Sequence, residues 1–573
     1  MKAFLQFTFS TAILLGVFFQ QTKSQSFESL DINNIKAGFS STSAMFYDQV
    51  SGPNFEVPKG SGKHTVFAGN LWIGGLNNGA LHFAGEWYRG YGNDFFPGPI
   101  MNTSAYSTLQ DAYWNRVWKV DWTMISNHIA NFSNPGYIMP QVFIDWPAHG
   151  NVSLGQSYYL APFFDFDQDG TYDPYQGDYP SIKGDQAVFF LFNDDRDIHQ
   201  TGGTKLGIEV HAMAYAFNCA QDSALDHSIF LNYKIFNRSV NSYDSTYFGT
   251  WLDMDIGFPS DDFVGSDVQR GSFYTYNGVA EDGTGGPSHY GLNPPAQSCV
   301  ILKGPLQDAD GTDNAVGIGA NESLNGYGFG DGIPDNESLG MSYFMYTSST
   351  GGNTSASYYN NLRGRFSDGT PNYFTSGSDT IECNYMFPGN SDPLGWGTGG
   401  VPYPGWSEIT VENVPFDRRG LMSTGPFTFA SGSMQSYDLA FVFGRDYDST
   451  SGGSIVIMNQ RIDDIRAMFV ADLTPCGTDF GLRTSIENHH KIKDNLLLYP
   501  NPANEQIIIE FVAISNRAYY EIYDITGRLA AKGNMESSGQ NTILLQGLDE
   551  GLFILKITDG TSVYKKKFVK MSR

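Results

Sequence analysis

The chain has 573 residues and a formal charge of −26, from 34 Lys and Arg against 60 Asp and Glu. Its 15% aromatic content supplies enough large apolar side chains to exclude a globally disordered polymer. The acidic excess repels polyanions, which excludes nucleic acid as a partner, and past the leader no apolar run reaches the roughly 18 residues that a membrane-spanning helix needs.

Residues 1–25 read as a secretory signal peptide. Met1 and Lys2 open it, Ala3 to Phe19 are almost entirely apolar, and the polar run QQTKSQS follows. A membrane anchor is the alternative, but the core is short and has no stop-transfer flank. The cut is expected near Ser24–Ser26. No Cys follows the apolar run, so a lipid anchor is not expected. The mature chain then meets an environment where disulfides persist. It has four cysteines, Cys219, Cys299, Cys383 and Cys476, far apart and without a CxxC pair, which excludes a zinc ribbon. Three pairings stay open, as do buried free thiols.

Residues 26–478 read as a β-rich region, with division into two subdomains open. Gly, Asn, Asp and Pro clusters interrupt it about every ten residues, and aromatic and β-branched segments such as QAVFFLFND and SYDLAFVFG lie between them. This spacing predicts a mainly β fold, sandwich or jelly-roll-like, with few helices. Two loop-like aromatic stretches, Gly85 to Phe96 and Leu394 to Trp406, offer flat rings beside Asn and Asp. They are candidates for a glycan site, with core packing as the alternative.

The sharpest chemical motif is Asp165-Phe166-Asp167-Gln168-Asp169-Gly170-Thr171-Tyr172-Asp173. Oxygens at alternate positions and a turn glycine at the sixth match the opening of a calcium loop. Position 12 is Gln176, where an EF-hand has Glu, and the flanks do not read as helices. The expected ligands are therefore Asp165, Asp167, Asp169, Thr171 and Asp173, completed by Asp178, in a loop of the kind found in secreted β proteins. A solvated acidic turn is the alternative.

His199, Glu209 and His211 offer a generic zinc set, with a structural role as the alternative. A second calcium candidate gathers Asp253 and Asp255, which alternate and so share a strand face, with Asp261, Asp262 and Asp267 close behind. Asp308, Asp310, Asp313, Asp331 and Asp335 form a weaker acidic cluster in a Gly- and Asn-rich stretch. Helical spacing of Ile455, Met458, Ile462, Ile465 and Phe469 predicts a docking helix over Ser454–Phe469, with Asp463, Asp464 and Arg466 mostly on its outer side. There is no G-x-S-x-G elbow, H-E-x-x-H helix, phosphate loop or dinucleotide turn. Structural carboxylates are the reading for the remaining acids, since nothing selects a glycosidase pair and no catalytic residue emerges.

Residues 479–494 lack periodicity and read as a linker; His489–His490 within it is a weak metal tract. From Asn495 to Arg573 there are 9 Lys and Arg against 8 Asp and Glu, which leaves −27 for the rest of the chain. Six or seven short strands in 495–573 predict a small Ig-like β-sandwich.

Tyr499-Pro500-Asn501-Pro502, IYDITGRL, Gly551-Leu552-Phe553 and the closing Lys565-Lys566-Lys567-Phe568-Val569-Lys570 resemble the type A C-terminal sorting domain of the type IX secretion system of Bacteroidetes. The resemblance implies passage through the periplasm, recognition of 495–573 by the outer-membrane translocon, and removal by a sortase-like peptidase within 479–494. The product would be released or attached to the outer cell surface. Blocks spread over 150–430, among them GDYPSIKGDQAVFFLFND, DDFVGSD and RRGLMSTGPFTF, are similar to a family of large Bacteroidetes secreted proteins that implies no activity. The expected function is a secreted or cell-surface, calcium-stabilised β protein that binds glycan or matrix. A polysaccharide-acting hydrolase and a structural surface component are the alternatives.

Overall fold

Strand Ile208–Ala216 shows how the main part of the chain is built. Successive side chains on a strand point to opposite faces. Ile208, Val210, Ala212 and Ala214 enter one apolar core, whereas Met213 and Tyr215 enter a second core on the other face. Its neighbour Gln186–Asn193 divides the same way, with Val188, Phe190 and Phe192 on one side and Ala187, Phe189 and Leu191 on the other. A sheet that is apolar on both faces has to be covered on both.

The computed structural model describes residues 26–483 and 497–571, apart from 86, 89–93, 348–353, 377–378, 449–450, 502, 513–517, 525–528, 536–537, 549–550 and 560–561. The expected leader, His489–His490, the linker beyond Arg483 and part of the turn after Asp524 lie outside the described residues. The chain divides after Arg483 into two units, Met1–Arg483 and Thr484–Arg573. Among the described residues strand makes up 39% and helix 14%, with no closed barrel, so the expected mainly β fold is observed. No helix among the described residues is long and apolar enough to cross a membrane.

The central sheet of the first unit has nine antiparallel strands. Its order is Trp118–Asp121, Gln186–Asn193, Ile208–Ala216, Ser228–Asn237, Met434–Gly444, Ala296–Lys303, Ser272–Asn277 and Asp262–Asp267, with Phe96–Pro97 beside the second of these. A five-stranded sheet faces it, ordered Tyr343–Thr347, Arg419–Phe429, Tyr243–Asp253, Ala68–Asn77 and Ala80–Ala84. Leu71, Ile73, Phe248, Leu252 and Met422 from this second sheet share one core with the first face of the central sheet. The far side of the second sheet carries Trp72, Tyr247, Trp251 and Leu421, and helix Ser355–Leu362 covers them with Tyr358, Tyr359 and Leu362. That helix starts at a capping box between Thr354 and Ser357. The main unit is therefore a β-sandwich with a helix on each outer face.

The second cover is helix Ser451–Ala471, three residues longer at its start than the apolar spacing predicts. Met458, Ile462 and Ile465 are buried against the central sheet, with Ile455 and Phe469 packed beside them. Asp463 and Asp464 face outward as expected, but Arg466 does not. Its guanidinium donates to the carbonyls of Arg270, Ile301 and Asn325, which anchors the helix to the loops beyond the sheet. At the crossing point Gly444 lets the helix backbone touch the strand. A Cβ there would lie 2.5 Å from the Met458 amide nitrogen and 2.6 Å from the Ser454 carbonyl oxygen. Gly444→Ala is expected to destabilise the main unit by about 1–3 kcal/mol, because backbone on both sides must move. A lowered midpoint in urea unfolding at unchanged slope would check this.

Two of the four cysteines are joined. Cys219, which follows strand Ile208–Ala216, pairs with Cys476 after the long helix, and the bond spans 257 residues of chain. Cys299 and Cys383 are buried free thiols. The chain beyond Cys476 stays on the main unit. Phe480 packs on Phe217, Phe230 and Phe469. Arg483 forms an ion pair with Asp185, donates its amide to the Ile182 carbonyl, and stacks its guanidinium 3.9 Å from the Trp122 ring centroid. Residues 479–483, expected as linker, are thus part of the folded cargo, because a polar-looking run with one Phe and one Arg gives no sign of what it covers.

The second unit has seven described strands in two sheets. One holds Leu497–Tyr499, Gln506–Val512 and Ser538–Leu544, and the other holds Leu529–Met535, Ala518–Asp524, Gly551–Asp559 and Ser562–Lys570. Alternate residues Ile507 and Ile509 from one sheet meet Phe553, Leu555 and Ile557 from the other. The Tyr499-Pro500-Asn501 motif has a mechanical role here. Asn501 Oδ1 accepts the Val569 amide at 2.8 Å, and the Ala503 amide donates to the Val569 carbonyl at 2.7 Å. The start of the unit is therefore pinned to its closing strand.

Candidate cation sites and an open cavity

Two groups of three acidic side chains lie close enough to share an ion among the described residues: Asp165, Asp167 and Asp178, and Asp253, Asp255 and Asp417. Within each group the ligand oxygens are within 4.8 Å of one another.

The first group is the expected calcium loop in part. Asp165 and Asp167 come together with Asp178, and Asp169 and Asp173 are not among the acids of that group. The loop is shaped by its own backbone. Asp165 Oδ1 accepts the amides of Gln168 and Asp169, and its Oδ2 accepts that of Gly170 at 2.8 Å. Gly170 has φ +81°, the left-handed region that suits a glycine at this turn. Asp178 is buried. Its two oxygens accept the amides of Phe166 and Asp173, both at 2.8 Å, and so close the loop. Burial, reinforced by the charges of Asp165 and Asp167, raises the Asp178 carboxyl above its usual range against those two amides. Asp169 accepts the Thr171 amide and Asp173 the Tyr175 amide, so both serve as local turn caps.

The second group is set by strand register. Asp253 ends strand Tyr243–Asp253 and lies opposite Arg419, which begins strand Arg419–Phe429. In an antiparallel pair the same register, continued by two residues, brings Asp255 to Asp417. Asp253 is 2% exposed. Its Oδ2 accepts the Tyr88 hydroxyl, which in turn accepts from Arg419 Nε at 2.7 Å. Arg419 also donates to Asp417 Oδ2 at 2.8 Å. The Oδ1 atoms of Asp253, Asp255 and Asp417 are all enclosed and have no donor. Burial pushes the Asp253 carboxyl up to about 6, with Asp417 adding to it while Tyr88 and Arg419 oppose. Asp255 is pushed well above its usual range by burial and then by Asp253 and Asp417.

Asp261 and Asp262 do not belong to this group of three. Asp261 accepts the Gly283 amide, and the buried Asp262 accepts the Ile256 amide through Oδ2 at 3.0 Å. Asp267 forms an ion pair with Arg270. The acids of 308–335 are spent on loop turns: Asp335 accepts the amides of Asp310 and Gly311, and Asp313 those of Gly330 and Gly332. The expected zinc set does not assemble either. His199 is buried with Nδ1 2.7 Å from the Phe83 carbonyl and Nε2 2.8 Å from the Asp194 carbonyl, so both ring nitrogens are engaged. Glu209 and His211 share a strand face and touch at 2.9 Å, but Arg238 and the Ile100 amide take up the remaining Glu209 capacity.

That same strand face floors an open cavity of about 720 Å³. His211 and Met213 line it from one strand, and Asn232, Lys234 and Phe236 from the next, each two residues apart. Lys183 and Arg238 add two further cations, and the segment Ser157–Phe163 forms the wall. Tyr158 and Tyr159 there are 41% and 62% exposed. In the stretches expected to bind sugar, several described aromatics make intramolecular contacts, and residues 86 and 89–93 lie outside the described residues. Trp87 stacks on the buried Trp251, Tyr88 supports Asp253, and Tyr403 and Trp406 are buried against Phe374.

Residues 497–571 match the family model described as a secretion system C-terminal sorting domain. No curated protein matches the chain. Among solved structures the chain is similar to a polysaccharide lyase at 6% identity, over 73% of this chain and 37% of that one, with a TM-score of 0.16. It is similar to the BSP domain of a biofilm associated protein at 9% identity, over 68% of this chain and 60% of that one, with a TM-score of 0.14. The chain spans less than two thirds of either structure's length, and at these scores neither likeness carries an argument. The tail is a type IX sorting domain, and the chain is a Bacteroidetes-type cargo built for export, by secretion or attachment at the cell surface.

Proposed function

We propose that this exported β protein binds calcium and recognises glycan or matrix through the cavity beside Tyr158 and Tyr159. The cavity is the observation that carries the reading. Apolar walls with a few convergent polar groups are the usual form of a small-ligand site, and two solvent-facing tyrosine rings at the mouth can stack on sugar faces. The acidic pair Asp165 and Asp167, with Asp178, lies at the same edge, since Asp165 also lines the cavity. A cation in this loop, with Asp169, Thr171 and Asp173 shaping it, would hold the rim in place. The type IX translocon and a sortase-like peptidase are the partners of the tail.

A hydrolase needs two carboxylates in one cleft, about 5–10 Å apart. Asp165 is the one acid lining the cavity among the described residues, which favours binding over cleavage. The test is a polysaccharide panel offered to the purified chain with and without EDTA, read for both retention and turnover. Retention of at least one glycan is expected. Tyr159→Ala should weaken that binding by about two- to tenfold, the worth of one aromatic contact. A panel with no retained glycan would leave a structural surface component as the better reading.

A further inference from the structure

We propose that Asp253, Asp255 and Asp417 bind one hard divalent cation of the calcium class, and that this buried centre, rather than the Asp165 loop, is the one whose occupancy stabilises the fold. The inference deepens the calcium part of the reading above and rests on it; glycan binding plays no part.

Three observations converge. The first is geometric, since the three carboxylates offer oxygens within 4.8 Å of one another although they come from two different strand ends. The second is the division of labour between their oxygens. Tyr88 and Arg419 hold Oδ2 of Asp253, and Arg419 holds Oδ2 of Asp417, which fixes both side chains in orientation. Oδ1 of each, and Oδ1 of Asp255, are enclosed with no donor. A buried acceptor without a partner is costly, and buried polar atoms in native proteins are nearly always satisfied. Three such carboxylates, each with one oxygen within 4.8 Å of the others, mark a ligand set with an outer layer of hydrogen bonds already in place.

The third observation is charge. One guanidinium against three carboxylates leaves two negative charges uncompensated, the charge of one divalent ion. Asp262 adds to this need. It is buried, its negative charge and that of Asp255 repel each other, and its Oδ1 is also enclosed without a donor. An all-oxygen donor set with no His or Cys selects a hard cation over zinc or copper. The Asp165 loop differs on the second point, because both oxygens of Asp165 and both of Asp178 already accept backbone amides.

The experiment strips the full mature chain with EDTA and follows thermal unfolding with and without 1 mM CaCl2. A rise in Tm of about 3 °C is expected for the unmodified chain, as for any ligand that binds only the folded state. Asp255→Asn should abolish that rise. It should also melt above the stripped unmodified chain, since one of three crowded charges is gone. Asp417→Asn, at a less enclosed position, should abolish the rise as well, which covers the case in which Asp255→Asn does not fold. Asp167→Asn should keep it. A rise lost in Asp167→Asn but kept in Asp255→Asn and Asp417→Asn would overturn the placement and leave the calcium reading standing. No rise in the unmodified chain would overturn both.

Discussion

A chain ending at Arg483 is expected to fold and to remain inside the outer membrane. The cargo unit has its own cores on both faces of the central sheet, and its last residues, Phe480 and Arg483, are already packed on it. Removing 484–573 leaves the cargo unit's own residues in place and takes away the whole sorting domain. If the export machinery reads this two-sheet body, with Asn501 tying its first segment to its last strand, as one rigid shape, the effect is close to all-or-none rather than graded. Fractionation followed by immunoblotting is the measurement. Full-length protein should reach the medium or the cell surface, and the truncated protein should stay with the periplasmic fraction. Finding the truncated protein outside at the level of the full chain would show that the address lies elsewhere.

The second large effect concerns Cys219→Ser. The bond it breaks joins points 257 residues apart. Cross-links act mainly by restricting the unfolded chain, and their effect grows with the loop they close, so the loss should be about 2–5 kcal/mol, toward the upper end. The replaced side chain is fully buried in the core that also holds Phe217 and Phe480, which leaves a hydroxyl in an apolar setting and adds to the loss. Urea unfolding of the oxidised chain against the variant checks the magnitude. Thiol titration in denaturant gives an independent check, with two free thiols expected before reduction and four after it, since Cys299 and Cys383 are unpaired. Four thiols without reductant would remove the basis of the prediction.

Much of the fold is legible in local pattern. The period-two apolar strands, the turn clusters between them and the helix spacing around Met458 and Ile462 all follow from short-range chemistry, and each appears where the pattern puts it. What local pattern does not carry is register. Asp253 and Asp255 are recognisable as a pair, but their third partner, Asp417, becomes a neighbour only because Asp253 is opposite Arg419 in the ladder. The one signal in the chain is an acid two residues before a strand that begins with arginine, which is too common to select. Burial of aromatics is hidden for the same reason. Trp87, Tyr403 and Trp406 sit among Gly, Asn and Asp, a setting that leaves glycan contact and core packing both open, because their partners Trp251 and Phe374 lie far away in sequence. No local pattern announces the cavity, because His211, Lys234 and Arg238 converge through the pairing of neighbouring strands.

The covalent link between Cys219 and Cys476 has a mechanical consequence for export. Helix Ser451–Ala471 and the strands from Ser228 to Gly444 all lie inside the ring that this bond closes. Traction applied at the C-terminal end can peel away from the cargo unit only residues 477–483 before the load passes to sulfur and, through it, to the end of a central strand. The ring cannot be drawn out as a single extended thread, so a conduit carrying the oxidised chain needs an opening wide enough for at least two strands abreast.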